Sequence, residues 1–289
     1  RIMERRHGNA NLQFLLTTIR RQAASCIFGL APMLEAILSR HLSALELSEA
    51  GDETTPDQIG DELADFRGEI EALIKRSRNL SRVDPKLEAL RQVVRDKQKL
   101  PNNKLLLFST FRHTLAYLLD NLAVEGIRVG LIYGDIAEDE RRVLRNRFGL
   151  ARENPEAIDL LMSSEVGCEG LDYQFCDGLV NYDLPWNPMR VEQRIGRIDR
   201  YGQRSETVAV YNFVTPGTVD ADIYERCLLR IGVFREALGG LLHHLVGLFG
   251  LVCVTQQLSL CLVFHGGVPR LCLRQLANEL ACFCDLVLA

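Results

Sequence analysis

Between residues 104 and 234, short apolar runs alternate with amphipathic stretches, and this alternation narrows the possible folds more than any other feature of the chain. "KLLLFS" (104–109) precedes an amphipathic stretch from Thr114 to Glu125, and "IRVGLIYG" (127–134) precedes "AEDERRVLRNRF" (137–148). "AIDLLMSS" (157–164) runs into a loop, and "DGLVNYDL" (177–184) leads to "PMRVEQRIGRIDR" (188–200). "ETVAVYNFV" (206–214) and "VDADIYERCLLRIGVF" (219–234) complete the series. A strand without polar alternation is buried on both faces, and such strands separated by helices form a parallel sheet with helices on both sides. Ligands of such sheets meet the loops beyond the carboxyl ends of the strands. Here those loops are "STFR" (109–112), "YGDI" (133–136), "SSEVGCEGLD" (163–172) and "PWNP" (185–188).

The flanks read differently. Residues 11–47 carry apolar side chains at three-and-four spacing and predict helix. The acidic, Gly- and Thr-containing "SEAGDETTPDQIGDEL" that follows predicts a linker. Residues 83–100 restart a helix, with Asp84 placed to cap it and Pro85 at its first position. The expected division is a helical segment with linker over 1–83, an α/β lobe over 84–240 and an apolar tail over 241–289. That tail holds Arg270, Arg274, Glu279 and Asp285 as its only charges and five of the nine Cys. Its apolar runs, "LVGLFGLVCV" and "LSLCLVF", are each shorter than the ~18–20 residues that span a bilayer. A buried core helix or an interfacial hairpin therefore outranks a membrane span, and a protein partner is one use for so apolar a surface. An abrupt shift in composition at Gly239–Gly240 leaves open a third reading, a non-native frame.

The segment "RVEQRIGRIDRYGQ" (190–203) sets Arg194, Arg197 and Arg200 in a chain of net charge −4. With a pI near 5.9, the chain has no bulk basic footprint, so any nucleic-acid contact must come from placed residues. Asn187 and Pro188 suit a helix start, and Gly202 suits a left-handed cap beyond its end, predicting about thirteen helical residues, ~20 Å long. Gln193, Arg197 and Arg200 then share one face at i, i+4 and i+7, with Val191, Ile195 and Ile198 facing the core and Arg194 on the flank. Arginine is planar, permanently charged and able to donate two parallel hydrogen bonds to phosphate. A solvated charged face explains the same residues without any ligand, and composition alone leaves the two readings open. Arg141, Arg142, Arg145 and Arg147, on another predicted helix, read as a solvated face.

The cysteines lack the regular spacing of a disulfide framework or a zinc site; Cys282 and Cys284 stand one residue too close for a CxxC pair. No metal ligand set is expected, and reduced thiols place the chain inside the cell, in the cytoplasm or nucleus. The first Met is Met3 and no signal pattern precedes it, so the chain reads as part of something longer.

"QRIGRIDRYGQ", "SSEVGCEGLDYQFCDGLVNYDLPWNP" and "KLLLFSTF" together resemble the C-terminal RecA-like lobe of superfamily-two helicases, and within them the SWI/SNF-type DNA translocases. That family's last motif reads Gln-Arg-x-x-Arg-x-x-Arg-x-Gly-Gln, matched here at Gln193, Arg194, Arg197, Arg200, Gly202 and Gln203. "RRQAASCIFGLAPML" also looks family-like, whereas 241–289 shows no resemblance. The resemblance implies ATP hydrolysis between two RecA-like lobes and movement along double-stranded DNA. It implies arginine fingers at Arg197 and Arg200, with Gln193 and Arg194 positioning their helix at the lobe interface. Gly170 would permit close backbone approach to the nucleotide, and Asp172 would face the nucleotide or its arginine. Ser109, Thr110 and Arg112, with Ser163 and Ser164, would grip DNA phosphates, and Trp186 matches a family position. For each serine an ordinary turn or cap role is the alternative, and for Trp186 core packing. "YGDI" stands where the family has a His-Gly or Asp-Gly turn.

No GxxxxGK[ST] phosphate loop occurs, and "DELA" (61–64) follows a polar stretch rather than a buried strand. ATP phosphates and Mg2+ are therefore expected to be held mainly by an N-terminal lobe of the same parent protein, and this chain alone is expected to be inactive. An RNA helicase lobe and a non-catalytic interaction module are the competing readings.

Overall fold

The computed structural model describes residues 10–39, 67–80, 83–123, 126–134, 136–165, 170, 172–218 and 221–225, with the backbone of 251–253, 262–265 and 268–271. Helices α1 (Ala10–Ser25) and α2 (Leu30–Leu38) come first, joined by a short 3-10 turn at Ile27–Gly29, then α3 (Arg67–Arg78) and α4 (Pro85–Gln98). The lobe continues β1 (Leu105–Phe108), α5 (Arg112–Ala123), β2 (Val129–Ile132), α6 (Glu138–Gly149), β3 (Leu160–Ser163), β4 (Gly178–Asn181), α7 (Pro188–Ile195) and β5 (Ala209–Val214). Its strands lie in the order β2-β3-β1-β4-β5, all parallel. Helix α3 was not anticipated, and the expected acidic linker lies outside the described residues.

The sheet is covered on both faces, as its unbroken apolar strands require. Leu106 and Phe108 of β1 pack with Phe148 of α6 and with Val191 and Ile195 of α7. Leu105 and Leu107, pointing the other way, pack with Leu87, Leu90 and Val94 of α4 and Leu115, Leu118 and Leu122 of α5. A smaller cluster, Leu34 and Ile37 with Ile70 and Ile74, joins α2 to α3. Truncating a buried aromatic such as Phe148 to Ala in a core of this kind costs about 3–5 kcal/mol.

Asp84 caps α4 as expected, accepting from the backbone N–H of Lys86 at 2.9 Å and of Leu87 at 3.1 Å. By sequence the tail allows a core helix or a hairpin. Its described residues are extended rather than helical: β6 (Leu251–Cys253) runs parallel to β5, β7 (Leu262–His265) pairs antiparallel with β5, and β8 (Val268–Leu271) pairs antiparallel with β7. The hairpin alternative, not the helix, describes β7 and β8. Both runs are rich in Val, Leu and Phe, and such short apolar runs do not distinguish helix from strand by periodicity. No helix among the described residues is long and apolar enough to cross a membrane.

Candidate functional site at the carboxyl ends of the strands

Helix α7 begins where the sequence predicts it. The Asn187 side chain accepts from the N–H of Met189 at 3.0 Å, and Pro188 occupies the first turn. It ends earlier than expected, at Ile195 rather than near Arg200. The chain beyond closes tighter turns: Arg197 N–H donates to Arg194 O at 3.1 Å and Ile198 N–H to Ile195 O at 2.9 Å. The fully buried Ile198 explains the change, because it must follow Val191 and Ile195 into the core while the chain turns toward β5. Gly202, at φ +94°, then completes a turn closed by Gln203 N–H on Arg200 O at 2.9 Å. A side chain is strained at that φ, so glycine belongs there. Arg197 and Arg200 thus sit on a compact loop rather than on a continuing helix.

This loop is fastened to the connection between β3 and β4. Tyr173 N–H donates to Arg197 O at 2.8 Å, and the Gln203 amide donates to Cys176 O and Ile198 O, both at 2.8 Å. Ser205 Oγ donates to Asp177 at 3.1 Å, and Asp177 also holds the buried Lys97 ammonium at 2.5 Å. Arg200 forms an ion pair with Asp172. Among the described residues, Arg197 makes no side-chain hydrogen bond or ion pair, and it is half-buried. Gln193 is exposed, as expected for that face, and Gly170 has φ +75°.

Arg194 is not on the flank but 3% exposed. It donates to Asn181 Oδ1 at 3.0 Å, to Asp183 O at 2.8 Å and to Glu165 Oε1 at 2.7 Å, and lies 5.3 Å from the Phe108 ring centre. Its guanidinium is spent inside the lobe. Asn181 in turn donates to Asn212 at 2.7 Å, extending the network from β4 to β5.

Asp183 is the hub. One carboxylate oxygen accepts from Ser25 at 2.7 Å and Ser109 at 2.5 Å, and the other from Thr110 N–H at 2.8 Å and Thr110 Oγ1 at 2.9 Å. Burial pushes this carboxyl up, but the Arg194 charge and the bonds from Ser109, Ser25 and Thr110 outweigh it and hold it below its ordinary 3.8. The hydroxyls of Ser109 and Thr110 therefore point inward. Ser163 is buried and donates to Ser164 O at 2.7 Å; Ser164 is buried beside it. Arg112 is half-buried, its guanidinium 5.0 Å from the Tyr133 ring centre.

Trp186 is 43% exposed, and the buried Arg21 of α1 lies 5.6 Å from its ring centre and 5.5 Å from that of Phe111. Gln22 donates to Thr114 Oγ1 at 3.0 Å, and Lys86 donates to Ser25 O at 3.0 Å. The stretch that looked weakly family-like, 20–34, thus docks directly on the loops beyond β1 and β4. Asp183, Glu165, Asn181 and Ser25 were not singled out from the sequence. An acid at the carboxyl end of an apolar strand, opening the family-like "DLPWNP" (183–188), was the signal for Asp183.

Burial pushes the Cys26 and Cys176 thiols up to about 12, which removes them as nucleophiles. Among the described residues no group of three His, Cys, Asp or Glu side chains is placed to hold a metal. An unpartnered guanidinium beside a paired one, on a loop with a positive-φ glycine nearby, fits a phosphate rather than a cation.

The sequence matches the family described as "Helicase conserved C-terminal domain" over residues 85–202. It is 37% identical over 172 residues to the uncharacterised ATP-dependent helicase YqhH of Bacillus subtilis (strain 168), covering 60% of this chain and 29% of that protein. It is 29% identical over 163 residues to the CHD3-type chromatin-remodeling factor CHR7 of Arabidopsis thaliana, covering 56% and 13%. It is 40% identical over 82 residues to the RNA polymerase-associated protein RapA of Proteus mirabilis (strain HI4320), covering 28% and 8%. The chain spans less than a third of the length of each of these relatives.

Proposed function

We propose, for a chain whose residues 85–202 are a helicase conserved C-terminal domain related to SWI/SNF-type remodellers, that it is the second RecA-like lobe of an ATP-dependent double-stranded DNA translocase. The observation that carries this reading is Arg197: a half-buried guanidinium with no side-chain partner among the described residues, on a loop fixed by Tyr173, Gln203 and Gly202. A cation carried on a loop whose backbone is fixed before its ligand arrives needs less reorganisation when charge develops on a phosphoryl group. Arg200 joins it by exchanging Asp172 for phosphate. ATP and Mg2+ are held mainly by an N-terminal lobe of the parent, which supplies the phosphate loop and the metal's ligands. Gly170 and Gln193 line the nucleotide side of the interface, and Arg194 fixes the end of α7 from which the loop bearing the fingers departs.

On the DNA side, Arg112 and Trp186 stand at the surface of the same carboxyl ends, while Ser109, Thr110, Ser163 and Ser164 form the buried floor beneath them. Contacts of this kind position a phosphate backbone without reading bases. The test is to combine this chain with a phosphate-loop lobe of the same parent and measure ATP turnover with and without duplex DNA. DNA-stimulated turnover that Arg197→Ala abolishes is expected. Turnover by the mixture that is indifferent to Arg197→Ala and Arg200→Ala overturns the reading.

A further inference from the structure

Glu165 follows β3 and is 13% exposed at its side chain, yet it faces two arginines of α7: Arg190 at 2.6 Å on one carboxylate oxygen and Arg194 at 2.7 Å on the other. Seven residues on, within the same β3–β4 connection, Asp172 pairs with Arg200. Three arginines from one stretch of eleven residues, 190–200, therefore hold the connection at Glu165 and at Asp172.

The two attachments are not equivalent. Arg194 is 3% exposed and has three further commitments inside the lobe, so water screens its bond to Glu165 little. Arg200 and Asp172 are 49% and 33% exposed at their side chains, and solvent screens that pair. The inner clamp is the permanent one, and the outer pair is the one free to change partners.

We propose that Glu165 is a positioning residue: by joining the end of β3 to α7 through Arg190 and Arg194, it makes the end of β3 and the loop bearing Arg197 and Arg200 move as one body. Displacement of the chain beyond β3 by a bound backbone is then transmitted to the two guanidinium groups through side-chain bonds. The inference rests on the phosphate-contacting reading of Arg197, but the clamp itself is measurable without it.

Glu165→Gln removes the charge and keeps the shape. Arg190→Ala removes the more exposed partner, 43% exposed at its side chain, and is expected to fold if Glu165→Gln does not. In the 289-residue chain alone, both variants are expected to raise amide hydrogen exchange over 160–165 and 172–178 while 105–108 stays protected. With the phosphate-loop lobe, ATP and mixed-sequence duplex, kcat falls on the order of 10- to 100-fold, as expected for misplaced groups, while KM for ATP holds. Arg190→Lys, which keeps the charge, recovers part of the loss. Unchanged exchange and unchanged kcat in both variants overturn the proposal even where Arg197→Ala abolishes turnover. A fall in kcat that only follows the loss of folded protein overturns it too. Turnover indifferent to Arg197→Ala sinks the translocase reading instead, and the exchange measurements still decide the clamp.

Discussion

Arg194 donates to the backbone carbonyl of Asp183 at 2.8 Å, and its charge stands 3.9 Å from the carboxylate of the same residue. Both side chains are all but inaccessible, so neither can turn to water if the other is removed. Breaking such a pair by deleting one member costs about 3–5 kcal/mol, because a charge is left buried and uncompensated. Asp183→Ala also strands Ser109 and Thr110, and leaves Ser25 with Thr114 as its side-chain partner. At roughly 2–4 °C per kcal/mol for a domain of this size, the melting temperature should fall by about 10 °C. Circular dichroism melts of the purified chain test this; a shift of a degree or two would mean that the hub does not hold the strands together.

The same carboxyl sets an acid limit on stability. Its folded pKa lies below the ordinary 3.8, so the unfolded chain takes up the proton first as pH falls. The stabilisation is complete above the ordinary value and is lost as pH drops through the folded one. Asp159 behaves alike: burial opposes, but the bonds from Arg128 and Asn103 prevail and lower it. Melting temperature should therefore decline below about pH 4. Asp183→Ala should be less stable throughout but show a shallower decline, because Asp159, Glu88 and Asp96, each also lowered by its basic partners, still contribute.

The parallel sheet was legible because an unbroken run such as "LLLF" has one economical solution, burial on both faces, and β1 is buried at all four residues. The start of α7 was legible because Asn187 and Pro188 act locally. Its end was not. Gly202 marks a turn, but the stop at Ile195 depends on where Ile198 packs, which is a tertiary matter. Arg194 was misjudged for a related reason: three-and-four spacing assigns a side to each residue, but not whether a guanidinium folds inward to meet Asn181 and Glu165. Ser109 and Thr110 were read as surface donors because the acid that turns them inward lies more than seventy residues away.

Arg197 and Arg194 should separate function from stability. Arg197→Ala removes a group with no side-chain partner among the described residues, so stability should change by less than about 0.5 kcal/mol. Turnover in the two-lobe mixture should nonetheless fall by ~10³–10⁵, the range for an arginine that stabilises charge on a transferring phosphoryl group. Arg194→Ala should lose turnover through unfolding, with melting temperature and activity falling together. Equal melting losses in the two variants would place Arg197 in the packing rather than at a ligand.

On the DNA side, the buried and surface residues of one loop should part company. Arg112 carries a permanent charge near the surface, with its guanidinium over Tyr133. If it meets a phosphate, Arg112→Ala should weaken binding evenly across duplex sequences and reduce the slope of log affinity against log salt by about one. Ser109→Ala should leave that slope alone, because its hydroxyl donates to Asp183 inside the lobe. It should instead cost about 1.5–3 kcal/mol, the range for a hydrogen bond to a charged group. Fluorescence anisotropy over a salt series, paired with thermal melts of the same samples, reads both quantities. A slope that changes with Ser109→Ala at full stability would put that hydroxyl on the DNA, and would require the Asp183 network to open when the duplex binds.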